Sequence, residues 1–159
     1  MGTDMCVACG DGMLNIRVGA IIEKDGKILM VGIERVDFFY SVGGRIKLGE
    51  TAEEAVVREV FEETGVRLEI DRLGFVQQNY FRGFTPADKG KLFYELAFYF
   101  YMKVPKDFAP KSDKFLEGDN KERLQWISLD EEVKIFPKFF KTHLKNPVNE
   151  VRYILTDDR

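Results

Sequence analysis

Apolar and polar positions alternate in short runs along most of the chain. Residues 17–23 (RVGAIIE) and 28–34 (ILMVGIE) are β-branched apolar segments joined by Lys24-Asp25-Gly26-Lys27. The Asp-Gly pair favours a tight hairpin between them. A third run, residues 38–42, leads into Gly43-Gly44. The pattern then changes: residues 51–64 lack Gly and Pro and are rich in Ala, Glu and Val. Thr51 with Glu54 three positions on is a capping box, and Gly65 stands where a left-handed residue ends a helix, so a helix is predicted here. Strand character returns over residues 67–81 and 92–104, separated by a loop at 82–91 that contains Gly83, Pro86 and Gly90. Residues 105–121 read as a long polar loop and residues 124–127 as a short strand. Ser128 is placed to cap a brief helix through Glu132, residues 136–144 to form another, and residues 151–155 to form a last strand. Strands dominate around one long central helix, which makes this an α/β domain with a sheet between helices.

With 159 residues and no internal repeat, low-complexity tract or linker, one domain over residues 15–157 accounts for the chain. Residues 1–14 read as an N-terminal arm carrying Cys6 and Cys9. Apolar residues make up 45% and charged residues 32%, the balance of an ordinary globule and not of a disordered chain. No apolar run approaches the ~18 residues of a membrane span, and the net charge of −3 argues against a dedicated binder of duplex DNA. The start of the chain lacks the basic and apolar regions of an export signal. With two cysteines, no disulfide scaffold is expected, which points to a cytoplasmic protein. Cys6 and Cys9 form a lone C-x-x-C. Structural zinc wants four ligands, so two free thiols are the simpler reading, with a zinc ion bridging two chains as the alternative.

The charge is unevenly distributed. Between Glu50 and Glu63 stand six glutamates and one base, Arg58, a local charge of −5; the remaining 21 acids and 23 bases leave the rest of the chain at +2. At about 100° per residue, Glu59, Glu62 and Glu63 share an arc with Ala52 and Ala55, beside a core stripe of Val56, Val57, Val60 and Phe61. A helix needing only solubility would set such acids opposite the apolar stripe and interleave lysines at i+4. Clustered carboxylates suit a hard divalent cation. The preceding Gly43-Gly44 lets backbone groups approach a metal or phosphate where side chains would obstruct.

From Gly44 to Val66 the chain reads G-x5-E-x7-R-E-V-x-E-E-x-G-V, with Gly44, Glu50, Arg58, Glu59, Val60, Glu62, Glu63, Gly65 and Val66 at the specified positions. It resembles the Nudix box of the Nudix hydrolases, G-x5-E-x7-R-E-U-x-E-E-x-G-U with U a bulky aliphatic residue, at every one of them. The flanking pattern fits over residues 15–155, including the tryptophan-containing segment around Trp126. The resemblance implies a Nudix-type α/β/α sandwich with a mixed sheet and a central catalytic loop-helix. It also implies Mg2+- or Mn2+-dependent hydrolysis of a nucleoside diphosphate linked to another moiety, or, in a different class, a nucleotide-sensing module with little turnover.

Carried over by position, Glu59, Glu62 and Glu63 are implied metal ligands, joined by the carbonyl of Gly43 or Gly44, and Glu59 or Glu62 takes the proton from the attacking water. Arg58 is implied to orient the box carboxylates, with Glu50 as its partner. A further carboxylate from outside the box would be Glu95, Glu117, Asp119 or Glu122. Arg17 and Arg35 are candidates for contact with substrate phosphates. Tyr80, Phe81 and Phe84 are candidates for stacking on a base, although core packing explains them as well. Val42 stands where many members have proline. The substrate stays open among dinucleoside polyphosphates, ADP-ribose, nucleotide sugars and oxidised nucleoside triphosphates. A small nucleotide derivative is the expected partner, without membrane, and a homodimer is compatible with the aromatic-rich segment 92–102.

Overall fold

The computed structural model describes residues 2–111, 114–117 and 120–159, with 114–117 and 120 described through their backbone. In chain order the elements are β1 (Cys6–Cys9), β2 (Gly12–Ile21), β3 (Glu23–Lys24), β4 (Lys27–Ile33), β5 (Phe38–Arg45), α1 (Ala52–Thr64), β6 (Ile70–Arg82), β7 (Leu92–Met102), β8 (Lys114–Glu117), β9 (Asn120–Ser128), β10 (Lys134–Phe136), α2 (Phe140–His143) and β11 (Arg152–Asp157). The strands run in the order β11-β6-β7-β2-β5-β4-β9-β8. The β2–β7, β6–β11 and β5–β10 pairs are parallel and the other pairs antiparallel, so the sheet is mixed, as expected.

The period-2 alternation of the strands divides the apolar residues between two cores. Val18, Ala20, Val42 and Phe100 join Ala55, Val56 and Val60 of α1 on one side. On the other, Ile21, Phe75, Tyr99, Ile127 and Ile135 pack with Phe139, Phe140 and Leu144 around α2. Each fully buried aliphatic of α1, Val56 and Val60 among them, contributes about 1.5–3 kcal/mol.

β5 is the hinge of the architecture. Its first half, from Phe38 to Ser41, lies between β4 and β10. Its second half, from Val42 to Arg45, pairs instead with β2. The two halves therefore belong to two diverging parts of the sheet, and Gly43-Gly44 sits just past the divergence.

Four expectations are corrected. Residues 1–14 are not an arm apart from the domain: β1 pairs antiparallel with β2, Cys6 opposite Asn15 and Cys9 opposite Gly12. β1 fills the edge of β2 next to the stretch that β5 occupies, so alternating residues too few to reveal a strand by themselves are ordered by a neighbour. The Ser128 segment turns without forming a helix. Ser128 accepts at its carbonyl from Glu131 N–H (3.1 Å) while its own N–H donates to the Glu131 side chain (2.9 Å), and the chain then extends into β10. Residues 136–144 shrink to the four-residue α2, because Phe136 is claimed by β10 and Pro137 interrupts the backbone donors. The polar loop at 105–121 contains β8, which pairs with β9.

Candidate active site

α1 begins and ends on the chemistry expected of it. Thr51 Oγ1 accepts from Glu54 N–H at 3.1 Å, and Glu54 Oε2 accepts from Thr51 N–H at 2.9 Å. Gly65 adopts φ 74°, and its N–H donates to Phe61 O at 2.8 Å. The fixed rotation of the helix sends Glu59 and Glu63 toward β5 together with Val56 and Val60; both glutamates are only 8% exposed. Phe61 does not join the core stripe. It is exposed, with the Arg67 guanidinium 4.8 Å from its ring centroid.

The glycine pair makes room for these carboxylates. A Cβ on Gly44 would lie 2.5 Å from the Glu59 carboxylate. Gly43 has φ 151°, a Cβ there would lie 2.2 Å from Val18 O, and its N–H points to Glu63 Oε2 at 3.4 Å. Backbone and carboxylates thus meet without a side chain between them.

Arg58 binds the acids around it. Its Nε donates to Glu50 Oε1 (2.5 Å) and Nη2 to Glu50 Oε2 (2.9 Å), a bidentate pair. Nη1 reaches Glu59 Oε1 at 2.6 Å and Glu62 Oε2 at 3.2 Å, and Nη2 also reaches Arg45 O at 3.1 Å. The hydrogen bonds to Arg58 hold the Glu50 carboxyl below its ordinary pKa, against a smaller effect of burial, with Lys47 N–H adding to them. The bonds to Glu50, then those to Glu59, push Arg58 above its ordinary value. Among the described residues no three His, Cys, Asp or Glu side chains stand close enough to enclose an ion, so Glu59, Glu62 and Glu63 are neighbours without forming a finished cage.

Arg17, on β2, faces the same region. Burial works against its charge, but Glu95, Tyr99, Glu63 and Glu59 outweigh that and hold it above the ordinary value. Its Nε is buried without a hydrogen-bond partner among the described residues. Glu95 is 7% exposed and accepts from Asn15 Nδ2 at 2.7 Å; Asn15 Oδ1 accepts from Arg45 Nε at 3.1 Å. Glu122 is buried on β9 and, with Glu95, adds to the burial that pushes the Tyr40 hydroxyl up to about 12, while Arg17 opposes them. Of the outside carboxylates, Glu95 and Glu122 therefore face the group around Arg17 and Tyr40. Asp119 and the Glu117 side chain lie outside the described residues.

Arg35 is exposed on the turn between β4 and β5. Tyr80 and Phe81 pack against β7, Tyr80 edge-on to Tyr94 (5.2 Å) and Phe81 stacked on Phe93 (5.0 Å, 12°). Phe84 alone of the three stacking candidates reaches toward β5, 5.9 Å from Phe38. Cys6 and Cys9 fall on opposite faces of β1, separated by a rise of ~10 Å, too far for a disulfide. Asn15 and Tyr40 went unread in the sequence. A polar residue in the apolar run of β2 was a signal for the first; for Tyr40 there was none, since aromatics are common throughout.

The family model for the NUDIX domain matches residues 13–146. A MutT-like protein of Streptomyces ambofaciens is 40% identical over 65 residues, 41% of this chain and 42% of that protein. An ADP-ribose pyrophosphatase of Methanocaldococcus jannaschii is 50% identical over 54 residues, 32% of each chain. The matches to these curated relatives thus span less than half of their length. In three dimensions the fold resembles a MutT protein from Bacillus halodurans, with a TM-score of 0.58 at 19% identity over 87% of this chain and 86% of that one. No described helix is long and apolar enough to cross a membrane.

Proposed function

The chain belongs to the NUDIX domain family, and from that membership we propose that it is a pyrophosphohydrolase, cleaving with Mg2+ or Mn2+ the pyrophosphate bond of a nucleoside diphosphate linked to another moiety. The observation that carries the reading is the meeting of Glu59 and Glu63 with Gly43-Gly44, where a Cβ on Gly44 would collide with a carboxylate. The carboxylates fit a hard cation, being oxygen donors, anionic, and for Glu59 and Glu63 largely shielded from water beside the glycine backbone. Glu59, Glu62 and Glu63 with the carbonyl of Gly43 or Gly44 would hold it, and when bound it would polarise a phosphoryl oxygen and acidify a water.

The protein's own groups supply the rest. Arg58 keeps Glu50, Glu59 and Glu62 from springing apart by mutual repulsion. In this reading Glu59 or Glu62 takes the proton of the attacking water. Arg17 directs positive charge into the region and is suited to an anionic phosphate. Arg35, exposed on the β4–β5 turn, is a weaker candidate for contact with phosphate. The uneven charge is why a slightly acidic chain can take a polyanion: two or more divalent ions would largely cancel the −5 of the box region, and the rest of the chain carries +2.

The test is turnover of a panel containing ADP-ribose, nucleotide sugars, dinucleoside polyphosphates and oxidised nucleoside triphosphates with Mg2+ or Mn2+. Glu63→Gln should lower kcat/KM by at least ~10²-fold and EDTA should abolish turnover. Turnover indifferent to both would overthrow the assigned site. Nucleotide binding without product across the panel would favour a sensing module instead.

A further inference from the structure

β11 ends the order of strands on one side and pairs only with β6. In a strand, alternate residues turn their backbone groups to the same neighbour. Asp158 N–H donates to Tyr80 O at 2.9 Å, which puts the backbone groups of Arg152, Ile154 and Thr156 on the β6 side as well. Those of Tyr153, Leu155 and Asp157 point the other way, where no described strand meets them. Such an edge is ordinarily blunted by proline, lysine or a bulge. β11 reads RYILTD in unbroken register and has none of these. One of its faces is apolar: Tyr153 is 61% and Leu155 56% exposed, and Val148 and Val151 just before the strand are exposed too. Its charges are only half matched. Asp157 and Arg159 pair with each other at 2.6 Å, while Arg152 and Asp158 have no ion-pair partner among the described residues. The Arg152 guanidinium lies 4.8 Å from the Phe75 ring centroid and donates from Nη2 to His143 O at 3.0 Å, and its Nε is buried with no hydrogen-bond partner among the described residues.

We propose that this edge docks a second copy of the chain, the two β11 strands pairing antiparallel about a two-fold axis at Leu155 so that one sheet runs through both copies. The strand is complementary to itself in that register. Leu155 stands opposite its counterpart on the axis, and on either side of it Tyr153 stands opposite Asp157. These are the residues whose backbone groups face outward, so each such pair exchanges N–H···O bonds across the edge. Between them lie the pairs of Ile154 with Thr156 and of Arg152 with Asp158, at the positions where opposed side chains come closest. The arginine without an acid in each copy thereby meets the aspartate without a base in the other, twice over. A two-fold axis normal to the sheet keeps each face on its own side, so the two Tyr153 and two Leu155 side chains form one apolar strip. Main-chain bonds supply affinity, and the charge pairs fix direction and register. The pairing draws on no part of the hydrolytic reading.

The test is sedimentation of the full chain, without metal or nucleotide, from about 1 μM to about 1 mM, the range of a small interface, with amide hydrogen exchange followed at both ends of it. The chain should pass from monomer to dimer. On concentration, exchange at the amides of Tyr153, Leu155 and Asp157 should slow by at least about tenfold, while Ile154 and Thr156, already bonded to β6, should not change. Leu155→Lys sets two ammonium groups against each other on the axis, and Asp158→Lys sets an ammonium against Arg152; each should raise the dimer dissociation constant by at least about tenfold. Both positions are exposed, and circular dichroism checks that the fold is kept. A chain that stays monomeric, a dimer indifferent to both substitutions, or protection that appears on another strand instead of at Tyr153, Leu155 and Asp157 would overturn the proposal. The exchange readout uses the unaltered chain and so decides the matter even if a variant fails to fold.

Discussion

One guanidinium serves three carboxylates. Arg58 contacts Glu50, Glu59 and Glu62, and its side chain and that of Glu50 are each 21% exposed, so their ion pair is partly shielded from solvent. Glu50 binds its proton less readily when folded than the ordinary value of 4.5. Its contribution to stability is accordingly complete above about pH 4.5 and is lost as the pH falls through the depressed folded value. Glu50→Gln should cost about 1–3 kcal/mol at neutral pH, and the gap between the two proteins should narrow in urea titrations run below about pH 4.5. A gap that stays constant down to about pH 3 would show that the Glu50–Arg58 pair is not what depresses the carboxyl. The pair of Glu50 with Arg58 was foreseen from family likeness, and residue spacing alone indicated only that Arg58 stood among acids. The bond from Asn15 to Glu95, across 80 positions, had no local signature at all.

At the level of elements, α1 was the most legible part of the chain because its signals are local. The capping box, the apolar stripe and the C-terminal glycine all act within one or two helical turns. Thr51→Ala removes the acceptor of Glu54 N–H and should cost about 1 kcal/mol, read as a lowered denaturation midpoint with unchanged slope. If the loss exceeds what the cap explains, metal affinity of the variant will show whether the loop before α1 has shifted as well. The same local reasoning misled at Ser128, where a good helix-capping residue followed by three acids forms a turn. Pairing of residues 134–136 with β5 outweighed the weak preference of a few residues for helix. Phe61 failed for a related reason. Its place on the helical wheel was right, but the facing surface ends before reaching it and Arg67 stacks over it instead.

Over the whole molecule, the segment just before β1 fastens the loop that leads from Gly43-Gly44 to α1. Met5 N–H donates to Ile46 O at 2.9 Å, Leu48 N–H donates to Thr3 O at 2.8 Å, and Asp4 lies 3.9 Å from Arg45. Residues 46–50 are therefore held from a segment more than forty positions away. Deleting residues 2–9 should leave the two cores in place but raise hydrogen exchange at the Leu48 amide by at least about tenfold. Unaltered protection at Leu48 would mean that the loop orders itself. The sheet shows the same dependence on distant partners, since β5 divides its length between β4 with β10 and β2.

By itself, the amino-acid sequence determined the helix, its caps, the glycine pair and the ring of glutamates around Arg58, together with the family to which the chain belongs. All are encoded within some twenty consecutive residues, where backbone geometry leaves few alternatives. Only the tertiary structure decided that Arg17, Glu95, Tyr40 and Glu122 face one region, that β1 is part of the sheet, and that β11 ends it on one side. Those groupings depend on which strands pair and in which register. A shift of one residue turns every side chain of a strand to the other face, so they follow from the burial of two cores by the whole chain and not from any stretch of it.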